Sequence, residues 1–441
     1  MANLDGSNRN WQPYIALADD KRSQFHTNTL ERRTGRIRSL SGMSSRPPDR
    51  LLPRACRVVT SEISARILLR KQLVALADRP WTIVAGDATV APIPGAEHLQ
   101  VPMRREPALA DFRSFLALFR LFRDRRFNFV QTHTPKASLL GLPAARLAGQ
   151  RTIYTMHGGL YFRDNSRKAN VAGWLFERWC CSWAHLVAMQ SAEDVEVLVA
   201  KRACPKHKAR HLGNGIEIDH YRADPRNRPP GHRPVVLMIA RLVAEKGCLD
   251  FFAVAEALAD QADFIHVGPT EHDQRDAVAP THIAQLEARQ IVRFVGDVGD
   301  VRPYLAEADL FLLPSYREGI PRAAMEAAAS GLPVVAYDIR GVREVVAPDH
   351  RLLVPRGDIA RLIAATQALL ANPVKRHEAA TACRAHVLDR FDERAVIERL
   401  RAIYAEVVAE PAPRSAPEPT VGSGSSMAVP GVTGAKTGME A

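Results

Sequence analysis

The chain has 441 residues, with 60 Lys plus Arg against 48 Asp plus Glu and 46% hydrophobic side chains. That is enough for two full cores and too much for a small disulfide-stapled scaffold. The net charge of +12 is uneven, since residues 1–230 carry +17 and residues 231–441 carry −5, so the first half faces something negative: a membrane surface, a phosphorylated ligand or nucleic acid.

In chain order, residues 1–50 lack periodicity, are rich in Arg, Ser, Asn and Asp, and read as a disordered extension without the apolar core of a secretory signal. Short β-branched runs then predict strands at Arg57–Thr60, Thr82–Ala85, Phe129–Thr132, Thr152–Met156 and His185–Met189. Between them, Ala65–Ala77 and Asp111–Arg125 suit helices. After a Pro/Arg-rich segment, 221–233, a second series gives Val235–Ile239, Phe264–Val267, Val292–Val295, Leu310–Leu313, Val334–Ala336 and Leu352–Val354. Strand and helix alternate throughout, so each series predicts parallel βαβ units in a doubly wound sheet. The expected organisation is a Rossmann-like domain over 51–220, a hinge over 221–233, a second Rossmann-like domain over 234–388, and a C-terminal helix over 389–409 packing back. A Pro/Gly/Ser-rich disordered tail follows over 410–441. Ligands sit at the carboxyl ends of such strands, hence in the cleft that two facing domains form.

The six cysteines include no Cys-x-x-Cys spacing, and the adjacent Cys180 and Cys181 read as buried thiols on a helix in a reducing cytoplasm. No run reaches eighteen apolar residues, so no membrane-crossing helix is expected.

Chemistry concentrates in the second series. The strand ending at Pro314 runs into Ser315-Tyr316-Arg317-Glu318-Gly319-Ile320-Pro321 and then a helix that stops at Gly331-Leu-Pro333. Gly319 allows close backbone approach, and the free N–H groups of the helix start favour an anion. Glu326, flanked by Ala and Met, is placed to accept bonds from ribose hydroxyls, and Glu318 either reaches sugar hydroxyls or caps the helix. Earlier, Arg241 and Lys246 flank a tight turn after Val235–Ile239. Guanidinium fork and ammonium together suit a diphosphate.

The pattern Arg241…Glu245-Lys246-Gly247 with Glu318-Gly319…Glu326-Ala327…Gly331-Leu-Pro-Val-Val resembles the family 4 retaining glycosyltransferases, over residues 54–409. Asn214-Gly215-Ile216-Glu217 matches a family turn, although Asn214 also suits a turn needing positive φ. Thr132-His133-Thr134-Pro135-Lys136-Ala137 and Thr155-Met156-His157-Gly158-Gly159 resemble the branch that builds capsule, exopolysaccharide and lipid-linked oligosaccharides. The resemblance implies the two-domain GT-B fold and retention of anomeric configuration. It implies His157 at the donor sugar or reacting centre, and Thr134 and Lys136 on the acceptor side. Arg241, Lys246, Glu318, Gly319, Ile320 and Glu326 would hold a UDP- or GDP-sugar. One departure stands out: where many members carry a Gly-rich turn after the first strand, this chain reads Ser61-Glu62-Ile63-Ser64-Ala65.

No Asp-x-Asp occurs in the chain, so neither a metal nor any other cofactor is expected. Residues 104–126 mix Phe and Leu with Arg at helical spacing and read either as a peripheral membrane contact or as a core helix with a charged outer face. Aromatic residues are 6% and no nucleic-acid motif is present, so nucleic acid is not an expected partner. The expected activity is transfer of a sugar from a nucleotide diphosphate donor to a lipid-linked or other glycan hydroxyl, in the cytoplasm. A sugar-nucleotide epimerase or hydrolase on the same fold, or a non-catalytic membrane-associated scaffold, are the alternatives.

Overall fold

The computed structural model describes residues 54–61, 64, 69, 72–87, 93, 95–103, 108–160, 166–221, 231–270, 276–346 and 352–409. The expected N-terminal extension, most of the 221–233 hinge, residues 104–107, Glu62, residues 65–68, 70 and 71 of the expected 65–77 helix and the expected tail lie outside them.

The first sheet contains β1 (Ala55–Val58), β2 (Trp81–Ala85), β3 (Ala96–Gln100), β4 (Phe129–Thr132), β5 (Thr152–Met156), β6 (Leu186–Met189) and β7 (Ala209–His211), in spatial order 3-2-1-4-5-6-7 and all parallel. Its helices are α1 (Asp111–Asp124), α2 (Pro135–Leu147), α3 (Arg167–Trp183) and α4 (Ala192–Ala200). The second sheet contains β8 (Val235–Ile239), β9 (Asp263–Val267), β10 (Arg293–Gly296), β11 (Leu310–Leu313), β12 (Val334–Tyr337) and β13 (Leu353–Val354), in order 10-9-8-11-12-13. Around it lie α5 (Cys248–Ala257), α6 (Pro280–Ala288), α7 (Arg302–Glu307), α8 (Arg322–Ala329), α9 (Val342–Val345), α10 (Ile359–Leu370) and α11 (Pro373–Arg390). Each sheet reverses its strand order beside its first strand (β1/β4 and β8/β11), the position where such sheets open a ligand crevice. The result is GT-B architecture: two doubly wound parallel-sheet domains facing across a cleft.

The central strands are continuous apolar runs because helices cover both faces. The two strands absent from the sequence expectation, β3 (AEHLQ) and β7 (ARH), are edge strands with half-exposed, polar side chains. Nothing in their composition departs from a loop, and pairing with an already formed neighbour makes them strands.

The last helix, α12 (Glu393–Ala409), leaves the second domain and packs on the first sheet, burying Val396, Ile397, Leu400, Ile403, Tyr404 and Val407. At roughly 1.5–3 kcal/mol per buried side chain, that contact amounts to on the order of 10 kcal/mol. A buried cation anchors it: Arg57 donates to the Tyr404 hydroxyl at 2.6 Å and lies 4.6 Å over the Trp81 ring. The chain thus crosses between domains twice. The crossings lie side by side, with Ile216 N–H donating to the Phe391 carbonyl (2.9 Å) and Glu393 N–H to the Ile216 carbonyl (3.0 Å).

α1 uses its apolar residues for the core. Ser114, Leu118 and Phe122 are buried and Phe115, Phe119 and Leu121 pack beside them, while Arg113, Arg120, Arg123 and Phe112 face outward. Among the described residues no helix is long and apolar enough to cross a membrane.

Candidate functional site

The turn after β8 and the loop after β11 are laced together. Residues 244–246 form one turn of 3-10 helix, closed by Gly247 at φ +73°, where a Cβ would overlap the Pro314 carbonyl. Tyr316 N–H donates to the Glu245 carbonyl (2.9 Å) and Ser315 Oγ to the Lys246 carbonyl (3.3 Å). This lacing carries Lys246 to Glu318, with Nζ 2.8 Å from Oε1 and both side chains mostly buried. Two residues separated by 72 positions, one expected at a diphosphate and the other at sugar hydroxyls, therefore meet as an ion pair. Arg241 sits exposed at the mouth of the same turn. Ile320 is buried, and α8 begins at Arg322 with its first N–H groups beside the Glu318-Gly319 turn.

Glu326 lies on α8 at 8% exposure, accepting from Arg322 Nε at 2.9 Å. The Tyr221 hydroxyl, at the first crossing between domains, is also bonded to it, and burial first and this carboxylate second push the Tyr221 hydroxyl upward from its usual range. A carboxylate so placed is fixed in orientation, as recognition of vicinal hydroxyls requires.

The other wall of the cleft is the loop after β5. His157-Gly158 touches Gly319 directly. A Cβ on Gly319 would overlap the His157 carbonyl, one on Gly158 would lie 3.1 Å from Gly319 Cα, and one on Gly341 would overlap the Gly319 carbonyl. Only glycine admits this contact. Asn214 donates from Nδ2 to the Ile320 carbonyl at 3.4 Å. The positive φ in this turn falls on Gly213, not on Asn214, so the turn reading for Asn214 is corrected.

Two predicted acceptor-side groups are committed elsewhere. Thr134 is the residue before α2, and its hydroxyl takes the Thr60 N–H (2.9 Å) and meets the Thr60 hydroxyl (2.6 Å). Lys136 is buried and pairs with Asp111 at 2.5 Å, tying the start of α2 to the start of α1. The Tyr316 hydroxyl is engaged as well, donating with that of Tyr337 to Asp250 (2.7 and 2.5 Å).

A set of contacts that the sequence reading missed holds the domains closed. Arg340 pairs with Asp194 at 2.9 Å and donates to the Gly159 carbonyl at 2.9 Å. Asp194 also accepts the Gly159 N–H (3.2 Å); burial pushes its carboxyl upward and the Arg340 charge opposes that. Glu344 from the second domain caps α4 of the first, accepting from Ser191 Oγ and from the N–H groups of Ala192 (3.1 Å) and Glu193 (3.3 Å). Arg343 reaches Glu193 at 3.0 Å. Below the same loop, Glu177 is fully buried on α3 and accepts from Leu160 N–H and the Tyr154 hydroxyl, each at 3.0 Å. Burial raises its carboxyl to about 7, against those two bonds.

A cavity of about 810 Å³ opens elsewhere, between Val74, residues 217–220 and the start of α12, and shares no residue with this constellation. Among the described residues no group of His, Cys, Asp and Glu converges to hold a metal.

Residues 233–372 match the model of Glycosyl transferases group 1, and residues 67–220 that of Glycosyltransferase Family 4. The chain is 24% identical over 317 residues to the UDP-Gal:alpha-D-GlcNAc-diphosphoundecaprenol alpha-1,3-galactosyltransferase of Escherichia coli, covering 68% of this chain and 81% of that one. It is 24% identical over 311 residues to the N,N'-diacetylbacillosaminyl-diphospho-undecaprenol alpha-1,3-N-acetylgalactosaminyltransferase of Campylobacter jejuni, covering 67% and 81%. Among solved structures, Anabaena HepE in complex with UDP-glucose superposes with a TM-score of 0.66 at 20% identity, covering 80% of this chain and all of that one. Sucrose-phosphate synthase from Thermosynechococcus elongatus gives 0.68 at 18% identity, covering 81% and 99%. The laced turns, the facing glycines and the matches to both halves agree, and the chain belongs to glycosyltransferase family 4.

Proposed function

We propose that this glycosyltransferase moves a sugar from a nucleotide diphosphate, a UDP-sugar by preference, to a hydroxyl of a diphospholipid-linked glycan, with retention, in cell-surface polysaccharide synthesis. The observation that carries the reading is the Lys246–Glu318 pair beside the start of α8, opposite the His157 loop. The relatives whose names specify diphosphoundecaprenol acceptors and, in one case, a UDP-Gal donor support the substrate classes.

In this reading the donor diphosphate draws Lys246 away from Glu318, and Arg241 and the first N–H groups of α8 complete its partners. Glu318, released, faces sugar hydroxyls, and Glu326 accepts from the ribose. The bond between the anomeric carbon and the phosphate oxygen breaks with its electron pair passing to that oxygen. The acceptor oxygen bonds to the same face of the carbon, and its proton passes to the departing phosphate. Charge grows on the phosphate oxygens, so the fixed cations and N–H groups stabilise the transition state more than the ground state. Closure through the Gly158–Gly319 contact keeps water from the reacting carbon.

Docking at an anionic membrane is the partner half of this proposal. Supporting it are the outward arginines of α1, Leu109 and Phe112 exposed beside them, and the exposed stripe Val171, Leu175 and Trp179 on α3.

The test is a thermal-shift panel of UDP-, GDP- and ADP-sugars, followed by transfer to a diphospholipid-linked monosaccharide. UDP-sugars should stabilise the protein, and Lys246→Ala should lower transfer by at least about tenfold with the fold intact. Unchanged turnover in Lys246→Ala removes the diphosphate assignment. Turnover without acceptor favours the epimerase or hydrolase, and no nucleotide-sugar binding at all favours the scaffold.

A further inference from the structure

In the loop after β5, one peptide unit is held from both domains, that between Gly159 and Leu160. Its carbonyl accepts from Arg340 of the second domain at 2.9 Å, and its N–H donates to Glu177 of the first at 3.0 Å. The carbonyl and N–H of a trans peptide point in opposite directions within one plane. The bond that draws the N–H down onto α3 therefore aims the carbonyl outward, at the facing domain.

The loop does not supply that aim itself. Glycine rotates about its backbone bonds at little steric cost, so the peptide after Gly159 flips cheaply unless something restrains it. A side chain at 159, which could stiffen it, would crowd the contact between the domains: a Cβ there would lie 3.3 Å from both Arg340 Nη2 and Asp194 Oδ1. The restraint comes from α3. Gly173 lets this helix approach so closely that a Cβ would lie 2.8 Å from the Leu160 carbonyl, and a turn further on Glu177 takes the Leu160 N–H. The other Glu177 oxygen accepts from the Tyr154 hydroxyl at 3.0 Å, on the strand that leads into the loop, which fixes the carboxyl in turn. With or without a proton, a carboxyl keeps a lone pair for this N–H. Burying an acid here carries a cost that an apolar side chain of similar volume would avoid, so filling space under the loop does not account for it.

We propose that Glu177 is a positioning residue for glycosyl transfer: fully buried, it touches no substrate, and by holding the Gly159–Leu160 peptide it presents the Gly159 carbonyl to Arg340 and favours the closed cleft in which Gly158 meets Gly319. Its effect on turnover rests on the transfer reading above; its effect on closure does not.

The experiment uses the full chain with one dye on each domain, and compares wild type, Glu177→Gln, Glu177→Asp, Arg340→Met and the combination of Glu177→Asp with Arg340→Met. Glutamine loses the charge and keeps the reach; aspartate keeps the charge and is a methylene too short. Glu177→Gln should stay within about twofold of wild type in kcat/KM, with energy transfer between the dyes unchanged, whereas Glu177→Asp should open the cleft and lower kcat/KM about tenfold, the scale of one bond to a charged acceptor. With Arg340→Met already present, Glu177→Asp should cost less than about twofold more, because the group through which Glu177 acts is gone. A residue that only supports its own core would impose the same penalty in both backgrounds and leave energy transfer where it was. The proposal is overturned by an unaffected Glu177→Asp, by a Glu177→Gln as impaired as Glu177→Asp, or by the full penalty in both backgrounds. Should Glu177→Asp fail to fold, hydrogen exchange in wild type decides: a Leu160 amide slowed at least about tenfold relative to an exposed one supports the proposal, and an unprotected amide overturns it. If wild type transfers no sugar, the transfer reading fails, and the energy-transfer comparison, which needs no turnover, still decides the role of Glu177.

Discussion

Arg340→Met separates domain closure from domain stability. In the closed form Arg340 and Asp194 are 2.9 Å apart with side-chain exposures of 10% and 2%, and Arg340 also holds the Gly159 carbonyl. Removing one partner of a buried pair costs about 3–5 kcal/mol, because the charge left behind has no compensation. Asp194 can recover its hydration by separation of the domains, so the cost falls on closure and not on either core. Taking the lower end, about 3 kcal/mol, the closed-to-open ratio drops roughly 100-fold. A dye pair with one label on each domain should report the opening by energy transfer, and kcat/KM should fall about 10- to 100-fold, with the melting transition little moved. Asp194→Asn in the Arg340→Met background removes the stranded charge and should restore part of the closure, with a coupling of about 1–3 kcal/mol. The reasoning fails if Arg340→Met leaves energy transfer and kcat/KM within twofold of wild type, on the order of 0.4 kcal/mol, or if the second substitution recovers nothing.

Glu326→Gln should weaken nucleotide binding about tenfold, the scale of a bond to a charged acceptor, and calorimetry showing unchanged affinity would end its ribose role. Arg113→Glu together with Arg120→Glu should reduce sedimentation with phosphatidylglycerol-containing vesicles by about 30-fold or more, at roughly 1 kcal/mol per arginine near the surface. Equal binding to neutral phosphatidylcholine vesicles argues against the docking face. For Glu177, the folded carboxyl is raised by burial from 4.5 to about 7. Between those values the folded state holds more protons than the unfolded state, so stability is greater at the acid end and declines as pH rises through the window. Glu177→Gln should flatten that decline, by ~1–3 kcal/mol between pH 5 and 8 in denaturant titrations; parallel curves for the two proteins would place the ionisation elsewhere.

Much of the scaffold was legible because buried parallel strands are short, β-branched and apolar on both faces. Phe129–Thr132, Thr152–Met156, Val235–Ile239 and Leu310–Leu313 fall where the pattern puts them. The position of the group expected at the donor was legible for a related reason. Lys246, Glu318 and Gly319 lie at strand ends, where a parallel sheet presents its ligand groups whatever the rest of the chain does. The edge strands β3 and β7 were not legible, since their polar runs become strands only through a neighbour. A signal for the contact between the His133 and His157 side chains was present: Thr132-His133 and Met156-His157 both follow strands predicted to be parallel, but adjacency in the sheet had to be known first.

The sequence by itself thus determined the two Rossmann-like domains, the identity of the groups at the strand ends and the excess of positive charge in the first half. Only the tertiary structure decided which of those groups meet. It gave Lys246 to Glu318 and Lys136 to Asp111, set His133 against His157, turned the apolar side of α1 into the core, and used Arg340, Asp194 and Glu344 to hold the domains together. The reason is range. Strand and helix patterns are written within a dozen residues, whereas these pairings join positions 24 to 152 apart, and their strength depends on burial that exists only once both partners are in place.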